Sequence, residues 1–395
     1  MKLAAISHLA SPSAPTGAEK SLAQLASSLV QRGHETTVVI PGKWCLQDAV
    51  VGSGAAVVEI PSRGCWLVQA GEQPWWKQTL RYLRFRLPDP GTRGMMVFLD
   101  RYWPDVVHIN CLPQLKGAAA ARALGLPVVW HVREILPPGR RRRWFAGCLR
   151  RDADAIVAVS HAVAEWLSEE GLADRVTVVH NGCVTPPDVG NVAELRTELG
   201  LPATGAIVGF FAQIIGHKGV IDLVQASSRA MAEGADLHLV IAGDGPPADK
   251  ERLLAEIAAV VNPDRVHVLA PVDDVWKLLG AVDMVAVPSL WQDPLPRTVM
   301  EAMAAEKPVV AYDTGGIAEM VVDSETGFMV KPGDVDGLAE RITQLAGDAD
   351  LRHRFGVAAG LRARREFSFD RYVTSMERIL TEAAVGHHRA RSGAG

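Results

Sequence analysis

One stretch, PSLWQDPLPRTVMEAMA (residues 288–304), holds two carboxylates, Asp293 and Glu301, with seven residues between them that include Pro294, Pro296 and Arg297. It follows an apolar run, DMVAVPS, that reads as a buried strand. Proline fits the first turn of a helix, where its missing N–H costs nothing. Pro296 therefore predicts a helix that starts near 296–298 and runs through RTVMEAMAA. Asp293 then lies in the preceding loop, and Glu301 just over one turn inside the helix. The backbone N–H groups of Arg297, Thr298 and Val299 are left to hold an anion. Carboxylates beside an anion site do not bind phosphate themselves; they suit hydroxyl groups, which donate to them. A ligand with phosphate in its middle and hydroxyls at both ends is a nucleotide sugar. The plainer alternative is a helix-capping aspartate and an exposed glutamate.

Other strand ends carry related features. GFFAQIIGHKGVIDLVQA places Gln213, His217, Lys218 and Gly219 between a strand and a helix, and a lysine beside a helix N-terminus favours an anion. HLVIAGDGPP ends a strand in Gly243 and Gly245, which permit a tight turn and close approach by a ligand. The full GxGxxG fingerprint is absent, so a simple NAD domain is not supported. PVVAYDTGGIAEMV ends another strand in Thr314, Gly315 and Gly316, with Glu319 on the helix that follows. Each of these is, taken alone, also an ordinary strand-to-helix turn. In the first half, PTGAEKS is a glycine turn at Gly17 and Ala18 entering a helix. VVWHVREI ends a strand with His131, Arg133 and Glu134. A lone histidine there serves structure as readily as catalysis.

The elements that must position these residues alternate along the chain. Short runs rich in Val and Ile (KLAAIS, ETTVVIP, DVVHIN, LPVVWHV, AIVAVS, RVTVVHNG) are separated by polar turns and helical patterns. Near-continuous apolar strands between helices predict an α/β fold with a parallel sheet covered on both faces. Around 183–204 the pattern lapses into proline, glycine and polar residues, and it restarts at AIVGFFA. The expectation is two doubly wound, Rossmann-like domains: 1–185, a linker at 186–204, and 205–369. A helix at about 370–383 follows, then a disordered tail at 384–395. Ligands in such sheets bind beyond the carboxyl ends of the strands, so the default site is the cleft between the domains.

At 395 residues, 48% apolar and 22% charged, the chain is globular and long enough for two or three domains. A net charge of −4 argues against a generic nucleic-acid binder. Cys45, Cys65, Cys111, Cys148 and Cys183 are scattered without a CxxC pair, as reduced thiols would be. The opening MKLAAISHLASPSAP has a short apolar run broken by Ser7 and His8, and reads as a first strand rather than a leader. No stretch reaches the roughly 18 apolar residues of a membrane span. The expected location is the cytoplasm, with the inner face of the membrane as an extension.

Taken in order, these residues resemble the retaining glycosyltransferases of family 4, which have the GT-B fold. The matching features are Thr16 to Glu19, RGHETTVV, the strand-end His131, SHAV at Ser160, VVHNG at Asn181, HKG at Lys218, LVIAGDGP, VPS, EAMA, KPVVAYDTGGIAEMV, TGFMVKPGD and FSFDRY. The resemblance spans residue 3 to about 380 and is most specific in the second half. It implies a nucleotide-diphosphate sugar held by the C-terminal domain, an acceptor on the N-terminal domain, and no obligatory metal. It places Asp293 at the transferred sugar, Glu301 at the nucleotide ribose, Lys218 at the diphosphate and His131 near the reacting centre. Gln213, Gly243, Gly245, Arg297, Thr298, Val299, Gly315, Gly316 and Glu319 complete the donor side. Gly17, Ala18, Arg133, Glu134 and Asn181 stand on the acceptor side.

Three positions depart from the family pattern. Asp293 replaces a glutamate, Gln213 stands where a basic residue is usual, and Glu306 stands where a turn glycine is usual, predicting backbone strain. Arg297 is positioned to supply the charge missing at Gln213, since arginine suits bidentate phosphate contacts. The implied reaction is transfer of a hexose-type sugar with retention, from a UDP-sugar or alternatively a GDP-sugar. The acceptor is a hydroxyl of a small molecule, a glycan or a lipid-linked molecule. Another GT-B activity, an epimerase or a phosphorylase, or a non-catalytic nucleotide-sugar-binding subunit, is the alternative. Two basic and aromatic stretches, 75–86 and 139–151, suit an anionic membrane surface, a homodimer contact or a solvated face.

Overall fold

The structure is a computed structural model that describes residues 1–13, 15–62, 90–270 and 274–392. The basic stretch 75–86 and Cys65 lie outside the described residues. The chain divides into two compact units: Met1–Asn181 with Asp370–Gly395, and Gly182–Phe369.

The first unit is built on a sheet whose strands are β1 (Lys2–Ser7), β2 (Glu35–Ile40), β3 (Ala56–Glu59), β4 (Val106–Asn110), β5 (Val128–Val132), β6 (Ala155–Ala158) and β7 (Val176–Val178). They pair in parallel in the order β3-β2-β1-β4-β5-β6-β7. β4 and β5 are buried along their whole length, which is why they read as unbroken apolar runs instead of alternating ones. The last helix, Phe369–Ser392, belongs to this unit. It buries Tyr372, Val373, Met376 and Leu380, and its Asp370 and Glu377 accept from Arg32 at 2.5 and 2.8 Å. It runs on to Ser392, past the expected end near 383, so residues 384–392 of the segment expected as a disordered tail continue the helix.

The second unit holds β8 (Ala206–Phe211), β9 (Leu237–Ala242), β10 (Val266–Leu269), β11 (Met284–Val287), β12 (Val309–Tyr312) and β13 (Gly327–Val330). Their order is β10-β9-β8-β11-β12-β13, again all parallel. Renumbered from its own first strand this is 3-2-1-4-5-6, the doubly wound order, with the direction of winding reversing between β8 and β11. The segment 186–204, expected as a linker, is instead part of this unit. Its helix Val192–Glu198 is capped by Asn191, buries Leu195, and sends Arg196 to the Ala281 carbonyl at 3.0 Å and to Asp283 at 2.8 Å. One buried leucine and one buried arginine with fixed acceptors turn a polar, proline-rich stretch into an anchored one. Among the described residues no helix is long and apolar enough to cross a membrane.

Candidate active site

At the switch point of the second unit, the loops leaving β8 and β11 are locked together. The β8 loop ends in a short 3-10 turn, Gly216–Lys218, and then Gly219 at φ 71°. A β-carbon on Gly219 would collide with the Pro288 carbonyl, so glycine is required both for the turn and for the approach of the β11 loop. Leu290 donates its N–H to the His217 carbonyl at 2.9 Å, and the rings of His217 and Trp291 lie 5.8 Å apart. This clamp brings Lys218 against Asp293, and Nζ and Oδ2 form a direct ion pair. The lysine side chain keeps 25% of its surface exposed and the aspartate 9%.

A third loop holds Asp293 from behind. Gly315, at φ 54°, lies so close to the Asp293 backbone that any side chain would collide with it. Gly316 donates its N–H to the Asp293 carbonyl at 2.8 Å, and Gly315 donates to the Gln292 side chain at 3.0 Å. Both of these N–H groups, expected on the ligand, are therefore spent on fixing the acid loop. Gly243 and Gly245 also differ from expectation. Their missing side chains face the carbonyls of Ala212 and Ile214, so they serve loop packing rather than the approach of a ligand.

The helix Arg297–Ala304 starts within the expected 296–298, with Pro296 as its N-cap rather than in its first turn. The Pro296 carbonyl accepts the Val299 N–H at 3.2 Å, and Val299 is buried, so one of the three N–H groups expected to face an anion is already used. Thr298 donates its hydroxyl to the Phe211 carbonyl at 2.8 Å, tying the helix start to the end of β8. Arg297 turns back along its helix: Nε and Nη2 lie 3.1 and 3.0 Å from Oε1 of Glu301. Glu301 is 9% exposed. Near this pair, burial pushes the Cys183 thiol up to about 12, with the Glu301 carboxylate adding to the shift and Arg297 opposing it. Gln213 is exposed and Glu319 half-buried, the Glu319 carbonyl accepting from Arg362 at 2.8 Å. Glu306 does have the expected strain: its φ is 55°, and it fits because Gly356 and Gly360 leave room for its carbonyl and side chain.

A small pocket under this constellation is lined by Phe210, Phe211, Lys218, Ser289, Pro296 and Thr298. Ser289, which the sequence reading did not single out, is fully buried, and its hydroxyl has no partner. In the sequence it appears only as the last residue of the VPS that closes the β11 run.

The first unit collects its polar residues differently. Arg133 is buried and donates to Asn110 (2.8 Å), Asn181 (2.6 Å), His131 Nδ1 (3.3 Å) and the Tyr372 hydroxyl (3.3 Å). His131 is fully buried rather than presented at an open strand end, with the His108 ring 5.7 Å away. Burial first, then Arg133, then His108 hold His131 well below its ordinary range, so it is neutral. With Nδ1 accepting from Arg133, the ring proton stays on Nε2, which has no partner. Burial and then Arg133 push His108 down to about 3. Glu134 accepts from the N–H groups of Leu112 (3.1 Å) and Arg133 (2.9 Å), while burial pushes it up to about 7. Gly17 and Ala18 open the helix Gly17–Gln31, which a Thr16–Glu19 capping box starts, and Ala18 accepts from Asn110 at 3.3 Å. Thus His131 and Asn181 meet at Arg133, and Asn110 links Arg133 to Ala18, in one largely buried network.

Two family models cover most of the chain: "Glycosyltransferase Family 4" over residues 15–185 and "Glycosyl transferases group 1" over 191–362. The 2-deoxystreptamine glucosyltransferase of Streptomyces kanamyceticus is 30% identical over 303 residues, which span 70% of this chain and 76% of that protein.

The chain belongs to glycosyltransferase family 4.

It is therefore a glycosyltransferase, an enzyme dependent on a nucleotide-sugar donor. The phosphatidyl-myo-inositol mannosyltransferase of Mycobacterium leprae is 27% identical over 94% of both chains. Among solved structures, Anabaena HepE in complex with UDP-glucose superimposes with a TM-score of 0.82 at 24% identity, covering 97% of this chain and 100% of that one. The architecture of this family 4 member is accordingly GT-B.

Proposed function

We propose that the second unit binds a UDP-sugar and that a hexose passes from it, with retention, to an acceptor hydroxyl gathered by the first unit. The observation that carries this reading is the pairing at the β8/β11 switch point. Two cations, Lys218 and Arg297, and two carboxylates, Asp293 and Glu301, alternate around one helix start. Cations there suit a diphosphate, and carboxylates suit the hydroxyls of the sugar and the ribose. HepE, whose fold this chain shares, was captured with UDP-glucose, which supports UDP as the base-bearing part.

In the proposed reaction the anomeric C–O bond breaks and its electron pair passes to the leaving phosphate. Lys218 stabilises that charge as it develops. The acceptor oxygen bonds to the anomeric carbon from the same face, and its proton passes to the departing phosphate. Asp293 holds the transferred sugar. Arg297 takes the place of the charge absent at Gln213 once it turns from Glu301 to the diphosphate. Gly243 and Gly245 shape the loop, while Thr298, Gly315, Gly316 and Glu319 support the donor side. In the first unit, neutral His131 accepts from Arg133 at Nδ1 and holds it in place, and Arg133, Glu134 and Asn181 order the acceptor side. No metal has a part in this scheme, so turnover is expected to survive EDTA.

The acceptors of the two relatives bracket the choice, one named for an aminocyclitol and the other for a phosphatidylinositol lipid. The basic helix Arg140–Asp152 gives modest support to the membrane side. Arg142 is buried against Glu169 and Glu170 and Phe145 lies in the core, while Arg140, Arg143, Arg150 and Arg151 are exposed, with Arg151 paired to Asp152. The four described cysteines are free, which supports a reducing, cytoplasmic compartment. A thermal-shift screen across UDP-, GDP-, ADP- and TDP-sugars tests the donor, because a bound ligand raises stability by mass action. NMR of the product tests the stereochemistry, and an inverted anomeric centre would defeat retention.

A further inference from the structure

The two ion pairs of the donor side have a consequence for selectivity. Lys218 is partnered by Asp293 and Arg297 by Glu301, and all four side chains are at most 25% exposed. The residues proposed to grip phosphate are thus held by the residues proposed to grip hydroxyls. A ligand that draws Lys218 away leaves Asp293 as a largely buried carboxylate without its cation, and unpaired buried charge is strongly unfavourable. Asp293 has little freedom to follow the lysine or to turn to water. Its backbone is pinned by Gly316 N–H at 2.8 Å and packed against Gly315. Only a ligand that brings hydroxyl donors together with its diphosphate compensates both members of the pair.

Resting on the donor reading above, we propose that Asp293, through its ion pair with Lys218, is a selectivity device that disfavours the bare nucleoside diphosphate relative to the nucleotide sugar. The released product would otherwise retain the diphosphate contacts and compete with fresh donor. Asp293 makes its departure favourable, since a ligand without the sugar cannot satisfy the carboxylate. Glu301 acts on Arg297 in the same way but to a smaller extent, because both a nucleoside diphosphate and a nucleotide sugar carry the ribose that would satisfy it. Discrimination of this kind works by leaving a charge unpaired in the disfavoured complex.

The test is calorimetric titration of the full chain with UDP and, separately, with UDP-glucose. The proteins are wild type, Asp293→Asn, Glu301→Gln, Lys218→Ala and the Asp293→Asn/Lys218→Ala double variant, each checked for native circular dichroism. Asp293→Asn is expected to bind UDP about tenfold tighter than wild type while binding UDP-glucose no better, so the preference for the sugar-bearing ligand collapses. The gain for UDP should vanish in the double variant, because it comes from the freed lysine. Glu301→Gln should change the ratio of the two affinities less than twofold. UDP binding that is unchanged or weaker in Asp293→Asn, with wild type binding both ligands, overturns the inference and leaves the donor reading standing. A gain that persists without Lys218 overturns it too. Wild type that binds neither compound removes the donor reading and this inference together.

Discussion

The two units share a winding pattern and use its polar ends in opposite ways. In the second unit Lys218 and Asp293 sit in loops beyond the strands and Arg297 and Glu301 on the helix that follows, in pairs that keep some contact with solvent, and glycines hold the loop backbones. In the first unit the polar residues sit within or just past β4 and β5. They are buried, and the histidines among them are neutral. The same topology thus carries ion pairs in one unit and a buried hydrogen-bond network centred on Arg133 in the other. Partly exposed charges suit a ligand that brings its own charges, whereas a buried hydrogen-bonded network suits a precise shape held without reorganisation.

Substitutions that act on function alone or on stability alone would sharpen this contrast. Lys218→Ala is expected to lower kcat/KM by about 10²–10³, as loss of a group that stabilises developing charge does; combined with Asp293→Asn, so that no buried carboxylate is left without its cation, it should leave the unfolding midpoint little changed. Steady-state kinetics beside urea denaturation checks both halves. An equally large loss of stability would break the distinction between the units.

Arg133→Met is expected to do the reverse first. It strands Asn110, Asn181 and the Tyr372 hydroxyl inside the first unit, at a cost of about 3 kcal/mol in unfolding free energy. Urea titration followed by circular dichroism reads this, and a loss below about 1 kcal/mol would mean that the network is not what holds β5 in place.

Acid should affect the units unequally. His108 and His131 have folded-state pKa values below the unfolded value of 6.5. The unfolded chain therefore binds protons first, and stability present above pH 6.5 is lost as pH falls toward the folded values. Each buried histidine contributes a loss of about 1.4 kcal/mol per pH unit, or about 2 kcal/mol between pH 6.5 and 5. His108→Gln should remove one such increment from the pH dependence of the urea midpoint. An unaltered pH slope would show that His108 is not the responsible group.

The smallest effect expected is at Glu306. Replacing it by glycine relieves a left-handed φ of 55° at the loss of an exposed contact with Arg364, and should stabilise the protein by up to about 1 kcal/mol. Differential scanning calorimetry would register this as a modest rise in Tm.

Much of this was legible in the residue order. Unbroken Val and Ile runs predicted parallel strands, and the spacing from the β11 run through Pro296 to Glu301 predicted a loop acid and a helix acid. Glu306 in a turn position predicted its own strain. Less legible was which partner each polar group would find. Arg297 was expected on a phosphate and turns to Glu301, and Gly315 and Gly316 were expected to face a ligand and hold Asp293. Leu195 and Arg196 anchor a segment that looked like a linker. Ser289 stood in the sequence only as part of VPS, with nothing to show that its hydroxyl would be buried without a partner. His131 was expected at an open strand end and is sealed beneath Arg133 and Tyr372.

The division follows from range. Strand, helix and turn preferences are set by neighbours within a few positions, so periodicity and proline placement were enough to establish two doubly wound units and the elements bearing Lys218, Asp293 and Glu301. Ion pairing, burial and the protonation of histidine depend on groups 75 positions apart, as in Lys218 with Asp293, or 239 apart, as in Arg133 with Tyr372. Only the packed chain brings those together, and with them came the distinction between partly exposed ion pairs in the second unit and a buried network around Arg133 in the first.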